Sequence, residues 1–348
     1  MPEPKLYIIA GEDSGDLHAA NLVKALRKQI PQLSVRGVGG DQMQAQSVQL
    51  LAHVKDINFM GFWEVIKNLR TIRGLFRKVK ADIEAFQPEA IVLVDYPGFN
   101  IRMLPFLREQ GIKIIWYISP QVWAWKKGRV KTLQRFVDRL LTILPFEPDF
   151  YRGEGMEVDF VGHPLLDALP DMSVPRSGKK IIALLPGSRK QEITRMLPVM
   201  LQMQARFPDY RFVIAGAPSQ TEAFYGGLTA SQNAELWMNR TYELLQQADY
   251  ALVTSGTATL ETALFGVPQV VCYKGSALSY AIGKRLVKIR FISLVNLILD
   301  RELVTELIQY DFTAERLEAE LRALMSSERS QQIEAGYEEL RLKLGDGG

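Results

Sequence analysis

Tyr7-Ile-Ile-Ala-Gly-Glu-Asp-Ser-Gly-Asp16 and Ile182-Ala-Leu-Leu-Pro-Gly-Ser-Arg189 repeat one pattern: a short apolar run, a glycine-bearing loop, then apolar residues at helical spacing. Further β-rich runs follow each of them. Leu6–Ala10, Val35–Val38, Ile91–Asp95, Ile114–Ser119 and Leu140–Pro145 fall in the first half, and Ile181–Pro186, Phe212–Gly216, Tyr250–Ser255 and Val270–Tyr273 in the second. Strand-like runs alternating with helical periodicity are the rhythm of parallel α/β sheets. The chain is therefore expected to be α/β, with two facing Rossmann-like domains and an interdomain cleft at their strand ends. Residues 1–168 form the first domain in this reading, 169–179 a turn-rich linker, 180–330 the second domain and 331–348 a helical tail.

A length of 348 residues suits two domains. With 47% hydrophobic and 23% charged residues, and no low-complexity tract, the chain is globular rather than disordered. The single Cys272 lies in an apolar run and reads as a buried thiol; with only His18, His53 and His163 beside it, no zinc-ligand spacing exists. This cysteine usage suits a reducing cytoplasm. The start of the chain lacks the pattern of a secretory signal, and no apolar run is long enough to span a bilayer. Net charge is only +3, and the acidic loops interrupt any basic track, so nucleic acid is not expected as a partner.

Two strand-to-helix turns, Leu185-Pro-Gly-Ser-Arg189 and Thr254-Ser-Gly-Thr257, point to a nucleotide. Backbone N–H groups of Gly187, Ser188, Ser255, Gly256 and Thr257 at two helix starts suit a diphosphate, Arg189 adds a cationic fork, and Glu261 suits the ribose. Either turn alone is equally ordinary N-cap chemistry. Neither loop is Gly-X-Gly-X-X-Gly or a Walker loop, which removes support from dehydrogenase and P-loop readings. No Asp-X-Asp occurs, so neither metal nor cofactor is expected.

Asp95, at the end of the run Ala90-Ile-Val-Leu-Val-Asp95, is suited to a general base, or else caps the Pro-Gly turn that follows. Asn100 either orients it or holds that turn. Glu12, Ser14, Gly15 and Asp16 crowd the first loop, where substrate contact and helix capping are equal readings. From Phe59 to Lys80, Phe62, Ile66, Leu69, Ile72, Phe76 and Val79 recur at helical spacing with Lys67, Arg70, Arg77 and Lys78 off the stripe. Phe59, Met60 and Trp63 enlarge its apolar end. Such a segment lies on an anionic bilayer or packs on its own sheet. Trp123-Ala-Trp125-Lys-Lys-Gly-Arg-Val-Lys131 pairs indoles with four cations, a composition used in interface anchoring.

Gly11-Glu-Asp-Ser-Gly-Asp16, Val94-Asp-Tyr-Pro-Gly-Phe-Asn100, Ser119-Pro-Gln-Val-Trp-Ala-Trp125, Leu184-Leu-Pro-Gly-Ser-Arg189 and Ser255-Gly-Thr-Ala-Thr-Leu-Glu261 occur in one order. In this the chain resembles the lipid-A-disaccharide synthase family, from about Leu6 to beyond Glu306. The resemblance implies a GT-B fold and metal-independent, inverting transfer from UDP-2,3-diacylglucosamine to 2,3-diacylglucosamine 1-phosphate, with release of UDP. It implies a peripheral enzyme on the cytoplasmic face of the inner membrane of a Gram-negative cell. It carries Asp95 over as the base, Arg189 as a phosphate ligand, Gly256 and Thr257 as the helix start at the phosphates, Glu261 as the ribose ligand, Asn296 as a further polar site position and Ser119 as part of the substrate cleft. Some family members have an aspartate where this chain has Gly98. Members usually continue through another helix past Gly348, so the tail is expected to be truncated, and whether it crosses to the first domain or exchanges with a second copy stays open. The alternatives are another GT-B enzyme, such as a transferase to a different lipid or a UDP-sugar 2-epimerase, and a non-catalytic membrane-surface binding protein.

Overall fold

Apolar residues on both faces of every central strand bury each sheet between layers of helices. In the computed structural model, which describes residues 3–57, 69–125, 127–169, 180–229, 234–276, 280 and 289–345, the chain divides into two compact units, 1–164 and 165–347. The division precedes the expected boundary at 168, because helix Leu165–Ala168 is counted with the second unit.

In the first unit, β1 (Lys5–Ala10), β2 (Ser34–Gly39), β3 (Gln49–His53), β4 (Ala90–Val94), β5 (Lys113–Tyr117), β6 (Arg139–Thr142) and β7 (Asp159–Phe160) form one sheet in the order β3-β2-β1-β4-β5-β6-β7. Every neighbouring pair is parallel. Tyr7, Ile9, Ile91 and Leu93 enter the core on one face, and Ile8, Ala10, Val92 and Val94 the core on the other. The period-two alternation of β structure thus fills two cores from the same strands.

The second unit repeats the plan with β8 (Ile181–Leu185), β9 (Arg211–Gly216), β10 (Glu235–Met238), β11 (Tyr250–Thr254), β12 (Gln269–Tyr273) and β13 (Glu306–Ile308). Their order is β10-β9-β8-β11-β12-β13, again with parallel neighbours. Sequence reading anticipated nine strands. The four it did not anticipate, β3, β7, β10 and β13, are the four sheet edges.

Two expectations change. The tail 331–348 is not a separate element as far as it is described: Ser327–Lys343 is one helix, and it packs within its own unit. Ile333, Tyr337 and Leu340 are buried, Tyr337 Oη donates to the carbonyl of Val267 at 3.1 Å, and Arg341 Nη2 to that of Leu264 at 2.7 Å. Gly336 lets this helix press on Leu303, whose Cδ2 would lie 2.3 Å from an added Cβ.

The second change concerns the amphipathic stretch. Phe59, Met60, Phe62, Trp63 and Ile66 lie outside the described residues, as does the side chain of Leu69. In helix Leu69–Phe86, Leu75, Val79, Ile83 and Phe86 are buried against the first sheet, and Phe76 stacks on Phe99 with ring centres 4.1 Å apart. Ile72 is half-buried. For Phe76 and Val79 the stripe is therefore core and not an open lipid face. Among the described residues no helix is long and apolar enough to cross a membrane. Ile83→Ala is expected to cost about 2–5 kcal/mol. Arg77→Ala, on the exposed face, should stay within about 0.5 kcal/mol, both read by circular dichroism during denaturant unfolding.

Candidate active site

Strand order reverses between β1 and β4 in the first unit and between β8 and β11 in the second. In open α/β sheets such a reversal sends the two following loops in opposite directions and leaves a crevice at the strands' carboxyl ends. Gly11–Glu12 and Asp95–Tyr96 occupy that position in the first unit, Pro186–Arg189 and Ser255–Thr257 in the second.

Asp95 and Tyr96 both adopt left-handed backbone conformations, with φ of 42° and 47°. Non-glycine residues pay strain there, so the surrounding bonds must hold them. Asn100 does so from the first turn of helix Pro97–Glu109: its Nδ2 donates to the Asp95 carbonyl at 2.8 Å and its backbone N–H to the Tyr96 carbonyl at 3.0 Å. Asn100 therefore holds the turn's backbone. It is fully buried, and its Oδ1 has no protein partner. Gly11 is required opposite, since a Cβ there would sit 2.2 Å from the Tyr96 ring. The carboxyl of Asp95 is pushed up to about 7 by burial and, second, by the neighbouring negative charge of Glu12, against one backbone hydrogen bond from Tyr96. A carboxylate with that affinity for a proton, in a crevice, is suited to accept one near neutral pH.

The other first-loop residues divide. Glu12 precedes helix Asp13–Gln29 in extended conformation, and Ser14 is exposed in its first turn. Gly15 faces inward, where an added Cβ would lie 3.6 Å from Ala10 Cβ and from Val94 Cγ1. Asp16 is only 3% exposed and is a cap, though not for its own helix. It accepts the backbone N–H groups of Gly40 (2.6 Å), Gln42 (2.9 Å) and Met43 (3.1 Å), the start of helix Asp41–Ala45. Asp16 and Gly15, expected in the substrate cleft, thus belong to the scaffold, because Asp16 is spent on the start of another helix and Gly15 faces Ala10 and Val94. Ser119 moves the same way: it is 4% exposed, with its Oγ 2.6 Å from the Tyr151 hydroxyl. Beside it is Glu147, which sequence reading missed although two prolines flank it directly after the β6 run. Glu147 accepts from the N–H groups of Ile143 and Leu144, and burial pushes its carboxyl up to about 7.

In the second unit, Gly187 has φ of 108° and lies against Glu192 and Thr254, whose Oε2 and Cγ2 would be 2.7 and 3.3 Å from an added Cβ. The carbonyl of Ser188 accepts from Ser219 Oγ and Gln220 Nε2, each at 2.9 Å. Arg189 is exposed at the start of helix Lys190–Leu201, with its Nη1 3.3 Å from Glu192 Oε1. Gly256, φ 139°, opens helix Thr257–Leu264, and an added Cβ would meet nothing within 4 Å. Gly256 and Thr257 are exposed at the start of that helix, an arrangement suited to an anion. Ser255 Oγ anchors the turn through the Ile292 carbonyl at 2.8 Å. Glu261, one turn on, accepts from the Tyr242 hydroxyl at 3.0 Å, and burial raises its pKa.

Asn296 is not available to a ligand. It is fully buried; its Nδ2 donates to the Val304 carbonyl (2.8 Å) and to Glu306 (2.9 Å), and its Oδ1 accepts from the N–H groups of Leu303 (2.8 Å) and Val304 (3.0 Å). Glu306 in turn accepts from the N–H groups of Ile292 and Ser293. The pair fixes the loop that Ser255 holds from the other side.

A family model described as lipid-A-disaccharide synthetase matches residues 6–346. The lipid-A-disaccharide synthase of Geobacter sulfurreducens is 38% identical, with 99% of this chain and 94% of that protein covered. That of Syntrophus aciditrophicus is 40% identical over the same shares. Among solved structures, the UDP-GlcNAc 2-epimerase from Neisseria meningitidis bound to UDP-GlcNAc superposes with a TM-score of 0.66 at 12% identity, covering 98% of this chain and 99% of that one. The glycotransferase of kitacinnamycin gives 0.67 at 15%, covering 100% and 97%. These structural likenesses carry the fold alone, which is GT-B.

Asp95 binds its proton more tightly in the folded chain than in the unfolded one, whose value is 3.8, so its ionisation drains stability as pH rises from about 4 through about 7. Asp95→Asn should therefore stabilise the first unit at pH 8 by at most about 4 kcal/mol and far less at pH 4, in paired thermal melts. Asn296→Ala, which strips partners from two buried N–H groups, should destabilise the second unit by about 2–4 kcal/mol in the same assay.

Proposed function

The chain belongs to the lipid-A-disaccharide synthetase family of glycosyltransferases, and on that premise we propose that it joins UDP-2,3-diacylglucosamine to 2,3-diacylglucosamine 1-phosphate with inversion, releasing UDP. The observation that carries the residue assignment is Asp95, a carboxyl with raised proton affinity held in a strained turn at the β1/β4 reversal. Inverting transfer is one displacement. The acceptor hydroxyl attacks the anomeric carbon from the face opposite UDP, the new glycosidic bond forms as the bond to the diphosphate breaks, and the hydroxyl proton goes to the base. Asp95 is that base. Glu12 keeps it basic by raising the cost of its negative charge.

The second unit binds the leaving group. N–H groups at Gly256 and Thr257 neutralise the diphosphate, Gly187 and Ser188 border it, Arg189 swings from Glu192 to add a charged fork, and Glu261 accepts a ribose hydroxyl. Because both substrates carry acyl chains, the enzyme works as a peripheral protein at the cytoplasmic face of the inner membrane.

The test is UDP release in detergent with and without the acceptor. Release that requires acceptor and falls at least about 100-fold in Asp95→Asn supports both reaction and base, whereas release without acceptor would point to an epimerase-like site. Since the base acts deprotonated, kcat/KM should climb with pH and level off above about 7. Glu12→Gln should move that limb to lower pH. Arg189→Ala should weaken UDP binding by about 10-fold, measured by calorimetry, and unchanged affinity would remove Arg189 from the site.

A further inference from the structure

Helix Pro97–Glu109, which begins at the Asp95 turn, packs beside helix Val130–Phe136. Arg108 joins their ends: its Nη2 donates to the Phe136 carbonyl at 2.8 Å and pairs with Asp138 at 3.1 Å. The helices run in the same direction, so stepping back along both from that tie brings Arg102 beside Arg129. Burial and the neighbouring charge of Arg102 both lower the pKa of Arg129, which agrees with that approach. Arg129 is half-buried, and its guanidinium lies 5.8 Å from the ring centre of Trp125, a side chain 50% exposed.

The pair is close, partly buried on the Arg129 side, and has no anion among the described residues. Several nearby cations have carboxylates, Arg108 with Asp138, Lys127 with Glu154, Arg139 with Asp159 and Arg152 with Asp149, whereas the exposed Lys131 and Arg135 have none among the described residues. Arg102 and Arg129 have none among the described residues. Two like charges held together raise each other's energy, and a dianion with several acceptor oxygens relieves both at once. Arginine forks match a phosphate better than they match water.

The location gives the site a use. Arg102 lies one turn after Gly98 on the same face of the helix, and Gly98 is exposed with nothing within 4 Å of an added Cβ. Helical side chains tend to lean toward the N-terminus, a direction that from position 102 leads over that open surface toward the Asp95 end. We propose that Arg102 and Arg129 bind the phosphate monoester of the acceptor sugar, an assignment that rests on the transferase reading above. The Trp125 ring beside them offers a flat apolar wall to the same ligand.

The test is binding, read by calorimetry in detergent micelles, of 2,3-diacylglucosamine 1-phosphate and of its dephosphorylated counterpart to the parent, R102A/R129A and R102K/R129K. The parent should prefer the phosphorylated ligand by about 10- to 100-fold. R102A/R129A should lose that preference while binding the dephosphorylated ligand as before, and R102K/R129K should keep part of it. A preference that survives in R102A/R129A, or an equal loss for both ligands, overturns the assignment. Sedimentation with phosphatidylglycerol vesicles separates the other source of phosphate: loss there, with the micellar preference intact, would give the pair to bilayer headgroups and overturn it too. Turnover is scored separately, so a parent that shows the preference but makes no disaccharide would sink the transferase reading and leave the site standing.

Discussion

Everything functional in this chain depends on parallel strands whose order reverses within each sheet. Parallel neighbours require crossover connections, and the outward spread of helices from β1 and β4, and again from β8 and β11, leaves backbone at the strands' carboxyl ends uncovered. The apolar strands need no polar residue to form this edge. They deliver Asp95 and Gly256 to it because each directly follows, or nearly follows, a strand whose side chains are buried on both faces.

Hydrogen-bond saturation separates the groups that build this edge from those left to work on it. Asp16, Asn296 and Glu306 are acceptors or donors for backbone N–H and C=O groups that would otherwise be orphaned, and a ligand would have to break those bonds to reach them. Asp95 is the opposite case. Its carboxyl is largely withdrawn from water, faces another carboxylate and sits in a left-handed turn held by Asn100, an arrangement that costs stability and raises proton affinity together. Glu147 shows that burial alone does not mark a catalyst, for it has a similar rise but is enclosed among Ile143, Leu144 and the Ser119–Tyr151 pair.

The central strands were legible because most are continuous apolar runs, while β2, Ser-Val-Arg-Gly-Val-Gly, is carried by Val35 and Val38. The edges β3, β7, β10 and β13 were not, since one side of an edge strand meets solvent and its residues are mixed: β10 reads Glu-Leu-Trp-Met and β7 only Asp-Phe. At the site, the placement of Asp95, Gly187 and Gly256 was readable, because each sits in a strand–turn–helix unit whose geometry is local. Asp16 and Asn296 were not, because their partners, Gly40 to Met43 and Leu303 to Glu306, are set by tertiary approach. The apolar stripe through Phe76 and Val79 carries the same lesson. Its spacing identifies a buried face but not what buries it, and here Phe99 and the first sheet do.

Gly98 acquires a meaning from this arrangement. Where family members carry an aspartate at this position, a carboxylate there would stand one helical turn before position 102 and pair with an arginine placed at that point. With glycine, the helix surface next to the Asp95 turn is bare, and Arg102 keeps its charge uncompensated beside Arg129. Glycine at position 98 thus leaves the helix face in front of Arg102 open. Asp95, with Glu12 behind it, stands beside a helix that carries no carboxylate at position 98, next to the open surface over Gly98.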